Sequence, residues 1–137
     1  MRILGIDYGD KRIGLALSDP MGIIASGLPT LERNDTDDYI KKLLDVIQEN
    51  EVEEIVIGLP KNMNNTLGKK AEEVFEFVKV LKTHISVPVH TFDERLSSVI
   101  GNRALKEANL SWKKRKKKVD MVAAQLILQK YLDLGSK

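Results

Sequence analysis

Four carboxylates stand where strands or helices of this chain are expected to end or begin: Asp7, Asp93, Glu94 and Asp120. Asp7 closes the apolar run Ile3-Leu4-Gly5-Ile6 and is followed by Gly9. A charge there is costly unless it is paired, hydrated or metal-bound. Asp93-Glu94-Arg95 repeats the arrangement after a second apolar run. Neighbouring side chains on a strand point to opposite faces, so only one of that pair can share a site with Asp7. The preceding run is apolar on both faces, and parity does not decide between them. Asp120 stands just before Met121-Val122-Ala123-Ala124-Gln125-Leu126-Ile127-Leu128. Singly, each acid has an ordinary explanation: a turn cap, an ion pair with Arg95, a favourable charge at a helix start. Together they form a cluster that needs cations, because unscreened like charges would force one group to stay protonated. An all-oxygen donor set suits Mg2+ or Mn2+ better than Zn2+. Such ions can activate water and stabilise the leaving oxygen of a phosphodiester. His84, after a helix, and His90, within a strand, read as structural residues. The chain has no cysteine, which removes thiolate metal sites, disulfides and cysteine nucleophiles.

Cations are distributed as a phosphate-binding surface would need. The net charge is only +2, yet Lys113-Lys114-Arg115-Lys116-Lys117-Lys118 concentrates six of the 22 basic residues. Such a run attracts polyanions through counterion release whatever the average charge; the plainer alternative is a solvated basic loop. Lys11, Arg12 and Arg95 lie beside the candidate acids and could hold phosphates. Asn62 and Asn64, in a long polar loop over residues 61–70, could donate to phosphate or sugar. Gly68-Lys69-Lys70 is not a nucleotide-binding P-loop: the upstream glycine position is Met63, and Lys70 replaces the hydroxyl residue.

The elements that must position these groups follow from hydrophobic period. Residues 2–8 and 12–18 read as strands joined by the turn Gly9-Asp10-Lys11, and residues 23–31 as a third strand with Pro29 placing its end at an edge. Tyr39, Ile40, Leu43, Leu44 and Ile47 then recur at helical spacing. Residues 54–59 form a short buried strand ended by Pro60. Ala71, Val74, Phe75, Val78 and Leu81 predict a second amphipathic helix, and residues 87–92 a fifth strand. A third helix is expected from Ser97 or Ser98 to about Ala108, and a last helix over 119–132. The order β-β-β-α-β-α-β-α-α means an α/β fold: three antiparallel strands, then β-α-β crossovers, in a five-stranded mixed sheet with helices on its faces.

Length and composition fit one domain over 1–137, with 42% apolar and 31% charged residues. The first apolar stretch is broken at Asp7, and no later run approaches a membrane span of about 18 residues. A cytoplasmic protein without membrane partners is expected.

Four blocks carry a family resemblance. Gly5-Ile6-Asp7-Tyr8-Gly9-Asp10-Lys11-Arg12-Ile13-Gly14-Leu15-Ala16-Leu17-Ser18-Asp19 is similar to the opening motif of the YqgF/RuvX family, small bacterial proteins related to Holliday junction resolvases and also described as candidate pre-16S rRNA nucleases. Ile57-Gly58-Leu59-Pro60-Lys61-Asn62-Met63, Asp93-Glu94-Arg95-Leu96-Ser97-Ser98, and Val119-Asp120 with Ala123-Ala124-Gln125-Leu126-Ile127-Leu128-Gln129 agree with it in order and spacing. Asn65 departs from the glycine expected in the loop. The resemblance implies an RNase H-like fold. It implies Asp7 as first catalytic acid, Asp93 or Glu94 as second, and Asp120 as last, around Mg2+ or Mn2+. It also implies a structured nucleic acid as substrate, either the 5′ end of pre-16S rRNA or a four-way DNA junction. Paired cuts in a junction would favour a homodimer. The rival expectation is a ribosome maturation factor that binds nucleic acid without cutting it; a pure binder has no use for the acid cluster, which would repel phosphate. A nucleotide phosphotransferase of the related actin-like fold needs two such domains, and 137 residues supply one.

Overall fold

The computed structural model describes residues 2–33, 38–59, 68–93 and 112–134; for Asp93 and residues 112–120 it describes the backbone alone. Five strands hydrogen-bond in the order β3-β2-β1-β4-β5: β1 Ile3–Tyr8, β2 Arg12–Ser18, β3 Ala25–Glu32, β4 Glu54–Leu59 and β5 Val89–Asp93. The pairs β1–β2 and β2–β3 are antiparallel, whereas β1–β4 and β4–β5 are parallel. This is the mixed sheet expected from the hydrophobic pattern. Three helices are described: α1 Asp38–Glu49, α2 Lys69–Lys82 and α3 Trp112–Asp133. The helix expected over 97–108 lies outside the described residues.

Strand alternation divides the core in two. Leu4, Ile6, Leu15, Ile55 and Ile57 face α1 and α2, where Ile40, Leu43, Ile47, Val74, Phe77 and Leu81 close over them. Ile3, Ala16, Ala25 and Val56 face the other way, against Ala124, Ile127, Leu128 and Leu132 of α3. Burying one Leu or Ile side chain contributes about 1.5–3 kcal/mol, so among the described residues the first cluster holds most of the apolar stabilisation.

Three departures from the sequence reading concern β3 and α2. The third strand starts at Ala25 rather than Ile23, because the Asp19 carboxylate accepts hydrogen bonds from the backbone N–H of Met21, Ile23 and Ile24 and holds them in a turn. Pro29 lies within β3 rather than at its end. It is tolerated because β3 is an edge strand and because the register shifts there, Ile13 pairing with Leu31 but Leu15 with Leu28. In α2 the apolar stripe passes through Phe77, which is 3% exposed, and not through Phe75, which is 37% exposed. Phe77 stacks on Tyr8, with ring centroids 4.2 Å apart, a partner that helical spacing alone does not reveal.

Candidate active site

Asp7 sits next to the C-terminal end of β1, the central strand, paired across the ladder with Gly14. Strands β1, β4 and β5 are parallel and end at the same edge of the sheet, where open α/β folds bind ligands. Alternation along Ile3, Gly5 and Asp7 turns Asp7 to the α3 side, and the residue is half-buried there.

What lies across from it is set by Gly5. A Cβ at Gly5 would stand 2.7 Å from Leu128 Cβ and 3.2 Å from the Ala124 carbonyl oxygen, so α3 rests directly on the strand backbone. The helix runs antiparallel to β1, since further along it the Tyr131 hydroxyl donates to Glu54, which pairs with Ile3 at the start of the strand. From Gly5 to Asp7 the strand advances about 6.6 Å. From Ala124 back to Asp120 the helix advances about 6 Å on the same i, i+4 stripe. The two acids, 113 residues apart in sequence, therefore belong to one end of one strand–helix contact. Asp120 lies eight positions into α3, not in its first turn, so the alternative that it merely offsets the helix dipole does not hold.

Asp93 ends β5 opposite Leu59, a member of the α1/α2 cluster. His90 and Phe92 both meet Tyr131 of α3. His90 also lies 3.5 Å from Glu54, in a structural contact as expected. Glu94, Arg95, Asn62 and Asn64 lie outside the described residues. Among the described residues, no three acid or imidazole side chains gather into a metal site.

Lys11 is exposed and Arg12 half-buried in the turn that follows Asp7. That turn is held by backbone: Gly9 N–H donates to the Arg12 carbonyl, and Arg33 N–H to the Lys11 carbonyl. The Arg33 side chain, which the sequence reading missed, donates to the Gly9 carbonyl at 2.7 Å and lies 4.4 Å over the Tyr8 ring. No local motif announces it; the contact needs β3 beside β2. Burial, and then a hydrogen bond with Tyr39, push the Tyr8 phenol up from 10.0 to about 12. Tyr8 and Arg33 line a groove of about 700 Å3 on the α1/α2 side. Four carboxylates (Asp10, Glu72, Glu73, Glu76) against Arg33 and Lys69 make that groove a poor phosphate site.

The basic run occupies the first turns of α3, which begins at Trp112, seven residues before the expected start. The alternative of a solvated loop is thereby replaced by a helix. At about 100° per residue, positions Lys113, Lys114, Arg115, Lys116, Lys117 and Lys118 pass right round the axis, so the run is not a one-sided patch. No acid occupies that first turn, and positive charge at a helix N-terminus opposes the macrodipole.

Comparison with known proteins adds independent findings. Residues 1–134 match the family described as RuvX, Holliday junction resolvase. A Clostridium acetobutylicum protein named "Putative pre-16S rRNA nuclease" is 54% identical over 97% of this chain and 98% of its own length. A Clostridium kluyveri protein of the same name is 51% identical over the whole of both chains. Among solved structures, Thermus thermophilus RuvC in complex with a Holliday junction substrate aligns with TM-score 0.58 at 17% identity, over 99% of this chain and 98% of that one. The fowlpox virus resolvase with Holliday junction DNA aligns with TM-score 0.59 at 13% identity over the whole of both. The RNase H-like fold expected from the sequence is the fold these resolvases share with this chain.

Proposed function

The chain belongs to the RuvX family of Holliday junction resolvases, and from that premise we propose that it is a metal-dependent endonuclease acting on structured nucleic acid. The observation that carries this reading is the Gly5–α3 contact, which gives Asp7 and Asp120 a common end of the sheet. The donors fit Mg2+ or Mn2+ by their chemistry: carboxylate oxygens, no thiolate in the chain, and its histidines elsewhere. Such ions, when bound, supply an activated water and charge neutralisation at the leaving oxygen. Asp7 and Asp120 would hold them. Asp93 or Glu94, at the end of β5, would supply the further acid.

Lys11 and Arg12, on the turn beside Asp7, would hold flanking phosphates, with Arg95, Asn62 and Asn64 as further contacts. The basic start of α3 supports a polyanion partner in its own right: positive charge at a helix N-terminus opposes the macrodipole, and a bound anion would offset it. These contacts are blind to base sequence, so recognition would follow shape.

Pre-16S rRNA is the substrate we favour, because relatives above 50% identity carry that name while the junction-bound structures are below 20%. A four-way junction needs paired cuts, and that reading would bring a homodimer with it. The test is cleavage of end-labelled pre-16S rRNA and of a synthetic junction, in Mg2+ or Mn2+, by wild type and Asp7→Asn. Losing a direct ligand should cost more than the roughly 10–100-fold seen when an outer-shell partner is lost. Metal-dependent cutting that disappears in Asp7→Asn while binding persists supports the endonuclease. Equal binding with no cutting by either protein leaves a non-catalytic binding factor.

A further inference from the structure

We propose that Gln125 and Gln129 are positioning residues that fix the axial register of α3 against β3 and so keep Asp120 level with Asp7; the inference rests on reading those two acids as metal-holding residues. The two glutamines are one helical turn apart, and together they take both backbone polar groups of Ala25, the first residue of edge strand β3. Gln129 Oε1 accepts from Ala25 N–H at 2.9 Å, and Gln125 Nε2 donates to the Ala25 carbonyl at 3.1 Å. Gln129 Nε2 also donates to the Ile23 carbonyl at 2.9 Å. The side chains thus supply to β3 what a neighbouring strand would have supplied.

Apolar contact alone does not set this register. Ala123, Ala124, Ile127 and Leu128 are fully buried, and Gly5 lets the helix come close. Such contacts are non-directional, so a small slide along the axis exchanges one for a similar one. Hydrogen bonds weaken steeply with misalignment, and those to Ala25 and Ile23 resist that slide. Among the described side chains of α3, Gln125 makes the hydrogen bond to the sheet nearest Asp120, five residues or about 7.5 Å along the axis. The Tyr131–Glu54 bond ties α3 at its far end.

The experiment compares full-length wild type, Gln125→Met and Tyr131→Phe. Met keeps the length of the side chain and removes the donor; Phe removes a bond between α3 and the sheet far from Asp7. Mn2+ affinity is read by calorimetry without nucleic acid, alongside Tm and the kcat and KM of cleavage. Gln125→Met is expected to weaken Mn2+ binding by about 10–100-fold and to lower kcat with little change in KM. Tyr131→Phe is expected to lower Tm and leave Mn2+ affinity unchanged. Wild-type Mn2+ affinity in Gln125→Met, or equal weakening in both variants in step with Tm, overturns the proposal. If wild type itself binds no Mn2+, the metal-dependent reading falls and this one falls with it.

Discussion

On one face of the sheet α1 and α2 lay down Ile40, Leu43, Ile47, Val74, Phe77 and Leu81; on the other, α3 brings Ala124, Ile127 and Leu128 down onto Gly5 and Ala16. Large side chains separate the helices from the sheet on the first face. On the second, Gly5 lets α3 approach until a methyl group there would collide with Leu128 Cβ and the Ala124 carbonyl, while at Gly27 it would meet the Met121 side chain. Among the described residues, the α3 face also carries directional bonds to the sheet side of the contact, from Gln125, Gln129 and Tyr131. The first face is built to bury area, which tolerates small shifts. The second holds α3 close against the backbone of β1, as the proposed pairing of Asp7 with Asp120 would require.

The comparison breaks first at Phe77. Phe77→Ala should cost about 3–5 kcal/mol of stability, as expected for a buried aromatic, and should leave the Mn2+ affinity of the folded protein nearly unchanged. Urea unfolding with calorimetry on the folded fraction checks both halves. A large loss of Mn2+ affinity would mean that the two faces are coupled.

Gly5→Ala sharpens the contrast from the other side. The added Cβ meets Leu128 Cβ at 2.7 Å, so α3 must move, at about 1–3 kcal/mol for overpacking. Its metal affinity and cleavage rate should fall although the stability lost is smaller than in Phe77→Ala. Wild-type activity in Gly5→Ala would show that the distance between β1 and α3 is not critical.

The smallest effect concerns pH. Folding raises the Tyr8 phenol from 10.0 to about 12, chiefly by burial, so the fold favours its neutral form. That contribution is complete below pH 10 and is lost as the pH rises through 12. Tm of wild type should therefore decline more steeply across that window than Tm of Tyr8→Phe. Parallel decline would mean that Tyr8 ionises in the folded protein as it does in the unfolded chain.

Much of this was legible in the residues themselves. Alternation in Ile13-Gly14-Leu15-Ala16-Leu17 and helical spacing from Tyr39 to Ile47 depend on local backbone period, so the order of the described strands and helices follows from sequence, and so does Asp7 as an acid near the end of an apolar strand. The order of motifs from Asp7 through Asp93-Glu94 to Asp120 also belongs to the sequence. Tertiary structure decided what sequence period cannot carry. Phe75 and Phe77 fit α2 equally until Tyr8 stands beside one of them. Arg33 has no visible task until β3 lies against β2 and its guanidinium reaches Gly9. Gln125 and Gln129 read as ordinary helix residues until the edge of β3 offers them an N–H and a carbonyl. That Asp7 and Asp120 share one end of the molecule follows from a helix settling on a glycine, a contact between groups more than a hundred residues apart that no local preference encodes.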